Sequence, residues 1–573
     1  MPVVNAQIAS ELDRIADLLE IEQANPFRVR AYRRAARVVT ALPRNVVDML
    51  AAGEDLDDLP GIGPDLAGKI ATLAAGGELP LLAELSREVP PGVAALLAVP
   101  GLGPKRVHLL HDVLGIDGIP ALTAAAKSGR LRDVPGIGPG IEATVLRALA
   151  QGEVGPPRTR LATAEQVVLP LLRYLRSADG VTQVEVAGSF RRRRDTVGDL
   201  DIVVAAEASD AVMRKFVSYD NVESVVEQGP TRATVRLRGG LQVDLRVVPA
   251  ASFGTALCYF TGSKPHNIAL RQIAIDRGWK LNEYGLFKGT RRIAGASEDG
   301  LYRHLGLAPV PPELREDSGE IAAARQGTLP KLISLADIRG DLHLHTDASD
   351  GRDSLRAMAD AARERGYLYA AITEHSRRMT VAHGLDAKRL GSQIEAIARL
   401  NAELSGFTLL SGIEVDILED GALDLPDDLL RRLDVVVGAI HSHFDLPMAK
   451  QTERILRAMD HPAFNILAHP SGRLINERPP CAIDMERVMR EAAAHGCCLE
   501  VNAQPDRMDL TDQHCRLAHE VGVKLVISTD AHATDELDFM RFGVDQARRG
   551  WLQATDVINS FSLVSLQKLL RRK

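Results

Sequence analysis

Apolar positions recur every three to four residues through positions 1–80. The pattern predicts amphipathic Ala6–Glu20, basic Arg28–Leu42 and Pro64–Ala75 as helices, separated by Asn25-Pro26, Pro43 and Pro60-Gly61. A turn sequence then recurs as Leu59-Pro-Gly-Ile-Gly63, Val99-Pro-Gly-Leu-Gly103 and Val134-Pro-Gly-Ile-Gly138. Each copy is followed by proline and a further helical pattern. A Gly/Pro-rich stretch, Gly152–Pro157, closes this region. The period then shortens to two. Val184–Ala187, Leu200–Val204, Thr234–Leu237 and Leu241–Val248 read as strands, and Gly239-Gly240 joins the last two as a hairpin. Residues 251–308 read as mixed, and Ala308–Pro312 with the polar stretch to about 335 reads as a linker.

The last 235 or so residues run through seven short apolar stretches, and nearly every one ends in a histidine or a carboxylate. In order these are Asp341-Leu-His343-Leu-His345, Ala-Ile-Thr-Glu374-His375, Leu-Ser-Gly-Ile-Glu414, Val-Gly-Ala-Ile-His441, Ile-Leu-Ala-His469, Cys498-Leu-Glu500 and Ile-Ser-Thr-Asp530-Ala-His532. Strands that end in ligands around a common mouth are how a β/α barrel builds a metal site. So many imidazoles and carboxylates exceed what one ion can use, so a polynuclear centre is expected.

Composition changes this picture in few places. At 573 residues the chain is too long for one core. No apolar run approaches a membrane span, and Met1-Pro-Val-Val-Asn5 lacks a signal-peptide pattern. Five unpatterned cysteines (258, 481, 497, 498 and 515) point to a reducing compartment rather than a disulfide framework. Residues 336–573 hold 29 Lys+Arg against 37 Asp+Glu, a net of −8; the whole chain is −7, which leaves residues 1–335 at +1. Net charge therefore gives no hint of a nucleic-acid partner; local arginine runs do.

One such run lies beside a second carboxylate set. Asp199 and Asp201 are two apart on a predicted strand, so both point to one face, and Asp244 on a neighbouring strand can join them. Three close carboxylates repel unless cations separate them. Two Mg²⁺ (or Mn²⁺) ions suit the site, being hard, oxygen-liganded and able to clamp an in-line phosphoryl displacement. Gly188-Ser189 at a strand-to-helix turn offers N–H groups and a hydroxyl to phosphate, and Arg191–Arg194 add positive charge beside it.

On these residues the chain resembles the X family of DNA polymerases, the group containing polymerase beta. The likeness continues through Tyr259-Phe260-Thr-Gly262-Ser263, Asn267, Arg271 and Leu281-Asn-Glu283-Tyr284. It implies a nucleotidyltransferase-type mixed α/β palm with a thumb, and a dNTP substrate. It also implies that the Tyr259–Gly262 turn lies against the incoming sugar. By the same resemblance Asn267 contacts the base edge, Arg271 the templating strand, and Ser189 and Arg192 the triphosphate. One departure is Gln242, where vertebrate members place an arginine beside the third aspartate; a different orientation of Asp244 and slower extension are expected from it.

The Pro-Gly-x-Gly turns resemble helix-hairpin-helix motifs. Their glycines (Gly61, Gly63, Gly101, Gly103, Gly136 and Gly138) let backbone approach a phosphate, and the following helix start supplies N–H donors without regard to sequence. Arg28, Arg30, Arg33, Arg34 and Arg37 make a basic helix with no acid between Pro26 and Val47, expected to grip DNA. The same region is similar to the small lyase domain of polymerase beta relatives, and Lys69 falls where that family's Schiff-base lysine lies. Asp65 stands where a phosphate-binding lysine is usual. An acid four residues before Lys69 favours the protonated amine, so lyase activity is expected to be weak or absent.

The C-terminal pattern resembles the PHP (polymerase and histidinol phosphatase) domain across residues 338–573. The resemblance implies a distorted seven-stranded β/α barrel holding up to three Zn²⁺ or Mn²⁺ ions. The implied ligands are His343, His345, Asp350, His375, Glu414, His441, His469, Asp530 and His532, with His443 and Glu500 near the same mouth and Arg377 and Arg378 placed to hold DNA. The whole then reads as a multidomain α/β chain. Its expected parts are a lyase-like domain at 1–82, helix-hairpin-helix fingers at 83–155, a palm at 156–250, a thumb at 251–312, a linker at 313–337 and the barrel at 338–573. The function this implies is gap-filling DNA synthesis in repair coupled to metal-dependent 3′-end processing, by a cytoplasmic, nucleoid-associated monomer on gapped or nicked duplex. The alternative is an end-processing nuclease with a vestigial palm, and Gln242 is its one support.

Overall fold

A computed structural model of the chain describes residues 5–42, 44–59, 61–99, 101–151 and 158–571. The expected closing stretch Gly152–Pro157, and Pro43, Pro60 and Pro100 of the expected turns, lie outside the described residues. Contacts divide the chain into two compact units: Met1–Phe190 with Thr196–Phe260, and Arg191–Asp195 with Thr261–Lys573.

The first unit begins with helix Asn5–Ile21 packed on helix Pro26–Ala41. Ile8, Leu12 and Ile15 are fully buried, as are Ala35 and Val39. Each such large side chain contributes about 1.5–3 kcal/mol from apolar burial before entropy is counted. Asn25 caps the second helix by accepting from the Phe27 N–H at 2.9 Å, with Pro26 in its first turn. One apolar cluster runs from Ile8 to Ala148 and takes in all the hairpin helices. The recurring turns share one backbone: Gly61, Gly101 and Gly136 have φ of +80°, +90° and +83°, which explains glycine at the same place three times. Helices Pro64–Ala74, Pro104–Leu114 and Pro139–Gln151 start directly after them. Among the described residues no single helix is long and apolar enough to cross a membrane. The bent pair Pro104–Leu114 and Ile119–Lys127 passes such a test only jointly, and Val107, Leu110, Leu122 and Ala126 of that pair are buried in the helical core.

A five-stranded sheet follows in the same unit. Its strands are β1 (Val181–Val186), β2 (Asp199–Ala206), β3 (Val222–Gln228), β4 (Arg232–Leu237) and β5 (Gln242–Val248), in spatial order β1-β2-β5-β4-β3. Only β2 and β5 are parallel. The β4–β5 hairpin turns through Gly239 and Gly240, both at positive φ, as their pairing predicts. β3 was not legible in the sequence. It is an edge strand exposed along nearly its whole length, so it carries no alternation.

The second unit holds the segment expected as a thumb and the barrel. Helix Lys264–Asp276 is capped by Ser263 and precedes the sheet of β6 (Trp279–Asn282), β7 (Gly285–Lys288) and β8 (Arg291–Ala294). The stretch 313–337 is folded rather than extended. Leu314, Arg315, Glu320, Ala324 and Ile333 are buried, and Glu320 accepts from His266 while His266 also contacts the Tyr302 hydroxyl. Its polarity comes from paired buried groups, which a one-dimensional reading takes for a solvated linker.

Seven parallel strands then run in sequence order: β9 (Gly340–Leu344), β10 (Tyr369–Ile372), β11 (Thr408–Asp416), β12 (Val435–Ala439), β13 (Ile466–Leu467), β14 (Cys498–Asn502) and β15 (Leu525–Ser528). They are buried on both faces, hence their continuous apolar runs. The Leu344–Ala531 bridge, with the His345 N–H donating to Ala531 at 2.9 Å, brings the first strand onto the last and nearly closes the barrel.

Candidate functional site

At the carboxyl ends of the barrel strands the expected ligands converge on Glu414. This residue is completely buried near the end of β11. His375 Nδ1 lies 2.6 Å from its Oε2, His469 Nε2 2.9 Å and His441 Nε2 3.2 Å from its Oε1. His343 and His345 Nε2 stand 3.6 and 3.7 Å from Oε2. Asp530 lies 3.1 Å from His345, and Asp350 lies 3.4 Å from both His375 and His532. Among the described residues three overlapping groups each bring one donor atom per residue within 4.8 Å of one another: His345/Asp350/His375/His532, His343/His345/Asp530 and His375/Glu414/His441.

The donor set fits metal ions. His343 Nε2, both ring nitrogens of His345, His375 Nδ1 and Glu414 Oε2 are buried and, close as they lie to one another and to Asp530, make no hydrogen bond of good geometry, an arrangement that costs several kcal/mol in aggregate unless a cation takes the lone pairs. Mixed imidazole and carboxylate donors suit Zn²⁺ or Mn²⁺. Burial and the neighbouring His532 and His375 push His345 down to about 3, so its ring is an available neutral donor. Burial opposes the charge on His375, but Glu414 and Asp350 beside it win and raise it to about 10. Glu414 and Asp530 are held well below the usual carboxylate range; burial works against this and the surrounding histidines outweigh it.

Residues behind the ligands set their orientation. Glu500 Oε1 lies 2.8 Å from His343 Nδ1, while its Oε2 accepts from the His469 N–H at 2.7 Å and from Asn502 at 3.1 Å. Glu500 therefore fixes the His343 ring so that Nε2 faces the centre. Asp416 does the same for His441 at 3.1 Å. Sequence reasoning passed over Asp416, although it stands two residues after Glu414 on β11 and so shares its face. Arg507, also passed over, places Nε 3.7 Å from Asp530 Oδ2. His443 is half-exposed and makes no ligand contact, with Glu419 3.9 Å away. Arg377 and Arg378 are exposed and lie against Asp424 and Asp416.

In the five-stranded sheet the second carboxylate set is built by register. Asp201 pairs directly with Asp244 across the parallel β2–β5 ladder, and Asp199 lies two residues earlier on the same face. A Cβ on Gly188 (φ +61°) would strike the Asp201 carboxylate, so glycine lets the turn close over it. Asp244 accepts from Thr234 at 2.5 Å and from Gln242 at 2.8 Å, with Arg232 3.6 Å away. Gln242 thus holds Asp244 from two residues earlier on the same strand and helps set the orientation of its carboxylate. These oxygen donors suit hard divalent ions. Tyr259 and Phe260 stack edge to face at 5.2 Å, and Arg246 lies over the Phe260 ring.

The arginine run, expected to add positive charge beside the turn, is paired in the fold. Arg191 grips Glu298 through two bonds of 2.8 and 2.6 Å, Arg192 Nε reaches Glu316 at 3.0 Å, Arg193 reaches Asp545 at 2.7 Å and Arg194 reaches Glu316 at 3.4 Å. The reason is tertiary: these carboxylates come from positions more than 100 residues away. Glu298 falls to about 2; burial opposes this, and Arg191 and Arg315 prevail. Gly262 (φ +69°) leaves room for Arg192, whose Nη1 would lie 3.2 Å from a Cβ there. Asn267 and the exposed Arg271 are four apart on helix Lys264–Asp276 and share a face.

In the helical region Arg28, Arg30, Arg34 and Arg37 are exposed, and the Arg34 guanidinium lies over Gly61, where a Cβ would strike it. Arg33 instead turns inward to Asp17 (2.7 Å) and Glu20 (2.9 Å), which takes it out of the exposed basic face. Lys69 lies in a hollow of about 600 Å³ lined by Arg28, Asp65, Gly68, Thr72 and Leu79. Asp65 holds its ammonium at 2.5 Å, and Tyr32 lies beneath it at 5.2 Å. Burial lowers the Lys69 pKa, yet Asp65 and Tyr32 outweigh it and the net shift is upward.

Family models match in four places: a DNA polymerase beta thumb at residues 256–316, a helix-hairpin-helix domain at 3–79, a SAM-like helix-hairpin-helix tandem at 93–151 and a PHP domain at 341–504. A probable phosphatase of Thermoanaerobacter sp. (strain X514) is 29% identical over 209 residues, 34% of this chain and 79% of its own length. A solved structure of Leishmania infantum polymerase beta, a ternary P/T complex, is 22% identical over 39% of this chain and 98% of its own, with a TM-score of 0.26, and adds nothing to the assignment. The DNA polymerase/3'-5' exonuclease PolX of Bacillus subtilis (strain 168) is 38% identical over 565 residues, 98% of both chains. With that identity over nearly its whole length, and with a polymerase beta thumb and a PHP domain in the same order, this chain belongs to the PolX family of bacterial X-family DNA polymerases.

Proposed function

We propose that this chain is a DNA polymerase that adds dNTPs to primer ends in short gaps and a 3′–5′ exonuclease that trims 3′ ends in its barrel. The observation that carries this reading is the presence of two separate carboxylate-bearing centres in one chain: Asp201 in register with Asp244, and Glu414 ringed by five histidines. Asp199, Asp201 and Asp244 would hold two Mg²⁺ or Mn²⁺ ions. The nine barrel residues from His343 to His532 would hold up to three Zn²⁺ or Mn²⁺ ions. Bound divalent ions supply Lewis acidity toward phosphoryl oxygens at both centres. Thr234 and Gln242 keep the Asp244 carboxylate aimed, and Glu500 and Asp416 keep the His343 and His441 rings aimed. Ser189 and Arg192 bind the triphosphate, Tyr259, Phe260 and Gly262 bound the sugar, and Asn267 and Arg271 meet base and template. The domain limits are those read from the sequence, except that residues 313–337 pack as part of the second unit rather than serving as a linker, and the protein acts as a monomer in the cytoplasm. A vestigial palm loses its one support, because Gln242 holds the third aspartate. The test is a labelled one-nucleotide-gapped duplex with and without dNTPs, in Mg²⁺ and in Mn²⁺. Extension with dNTPs and shortening without them is the expected result; shortening alone in both metals would leave only the nuclease.

DNA is gripped through phosphates by the hairpin turns and the Arg28–Arg37 helix. Affinity will fall steeply with salt and vary little with sequence. Because Arg33 is held internally, Arg30→Ala with Arg34→Ala carries the test. That pair will flatten the slope of log K against log salt by roughly two units, one for each phosphate left unneutralised. An unchanged slope would mean the helix faces solvent only.

Lys69 contributes a phosphate contact more than a nucleophile, since Asp65 keeps it protonated. Borohydride trapping on a 5′-deoxyribose-phosphate end will be faint and will strengthen in Asp65→Lys. Strong trapping in the parent chain that vanishes in Lys69→Ala would overturn this.

A further inference from the structure

The helix that ends at Arg549 belongs to the nuclease barrel, yet its last residue serves the segment just after the nucleotide-binding turn. Arg549 is almost wholly buried. Its Nη1 donates to the main-chain carbonyl of Arg192 at 2.8 Å and to Glu316 at 3.3 Å, and its Nη2 is held by Asp512. Glu316 in turn accepts from Arg192 Nε at 3.0 Å through the same oxygen. Arg192 Nη1 donates to the carbonyl of Thr261, one residue before Gly262. The backbone and two nitrogens of Arg192 are thus held from Arg549, Glu316 and Thr261, all within the second unit. An arginine side chain pays rotamer entropy to hold one geometry, so a guanidinium fixed in advance binds a phosphate more tightly than a free one.

We propose that Arg549, with Glu316, is a positioning residue for the polymerase reaction: it fixes Arg192 for the incoming dNTP triphosphate, so that a residue of the nuclease barrel sets nucleotide affinity. This rests on the reading of Arg192 as a triphosphate contact. Among the described residues the hydrogen-bond partners of Arg549 and Glu316 include Arg192, Arg194 and Asp512 and none of the proposed barrel ligands, so degradation is expected to continue without them.

The experiment measures single-nucleotide insertion on a gapped duplex and 3′-end degradation on the same preparations of the full chain. Arg192→Ala will raise the dNTP KM by roughly ten- to a hundredfold, the worth of hydrogen bonds to a charged group. Arg549→Ala will raise it about five- to tenfold, with kcat within about twofold and degradation unchanged. In the Arg192→Ala background Arg549→Ala will add nothing, because it acts through Arg192. Glu316→Gln will shift KM in the same direction, and it carries the test if Arg549→Ala proves unfolded and loses degradation too. An unchanged KM in Arg549→Ala or in Glu316→Gln, or a full additive effect on top of Arg192→Ala, overturns the inference while leaving the triphosphate reading intact. A lowered KM would show Glu316 competing with the triphosphate, which also overturns it. An unchanged KM in Arg192→Ala itself removes the triphosphate reading, and the inference falls with it.

Discussion

Asp199→Ala combined with Asp201→Ala will abolish dNTP addition on a gapped duplex and leave 3′-end degradation at its parent rate. Asp201 stands opposite Asp244 on the adjacent parallel strand, and Asp199 shares that face one step earlier. Removing both takes away two of the three proposed oxygen ligands, and a lone carboxylate holds a hard divalent ion weakly. The loss will exceed about a thousandfold, more than the removal of a single preorganised transition-state hydrogen bond. The barrel centre has its own ligands and its own core, so degradation gives an internal control for folding. Both rates are read on one labelled substrate, with circular dichroism to confirm the fold. A loss of both activities with the fold intact would mean the two chemistries share a site.

Glu414→Gln will do the opposite. Five histidines lie within 3.7 Å of the two Glu414 oxygens, so this one carboxylate joins most of the expected ligand set. The amide keeps the shape, removes the charge and presents N–H groups where acceptors are needed. Metal content measured by mass spectrometry will fall by at least one ion per chain. Degradation will fall by more than about a thousandfold while insertion stays within about twofold. Glu500→Gln makes the graded comparison. It disturbs the His343 ring without removing a ligand, so about a ten- to hundredfold loss is expected. Equal losses in the two variants would place Glu500 among the ligands; an active Glu414→Gln would remove the proposed centre.

Much of this was legible because local pattern and function coincide. Most of the proposed ligand residues stand at or just after the ends of apolar strands, and a parallel barrel brings strand ends together whatever the register details. The recurring Pro-Gly-x-Gly turns announce positive φ at Gly61, Gly101 and Gly136, which is what the backbone adopts. Asp416 could have been found from its i,i+2 relation to Glu414. Edge strand β3 could not, since nothing is buried to mark it.

Strand and helix periods, turn chemistry and the order of carboxylates and histidines are properties of neighbours along the chain, and those determined the fold class and both candidate centres. The fate of charge was decided by the fold alone. Arg191–Arg194 read as added positive charge beside a phosphate turn, and in the fold each meets a carboxylate from Glu298, Glu316 or Asp545. Arg33 turns to Asp17 and Glu20 while Arg34 stays exposed over Gly61. Gln242, where an arginine was expected by resemblance, hydrogen-bonds Asp244. Charge pairing depends on which distant residue comes within a few ångströms, and coulombic energy falls with spatial rather than sequence distance, so only the folded chain could assign these partners.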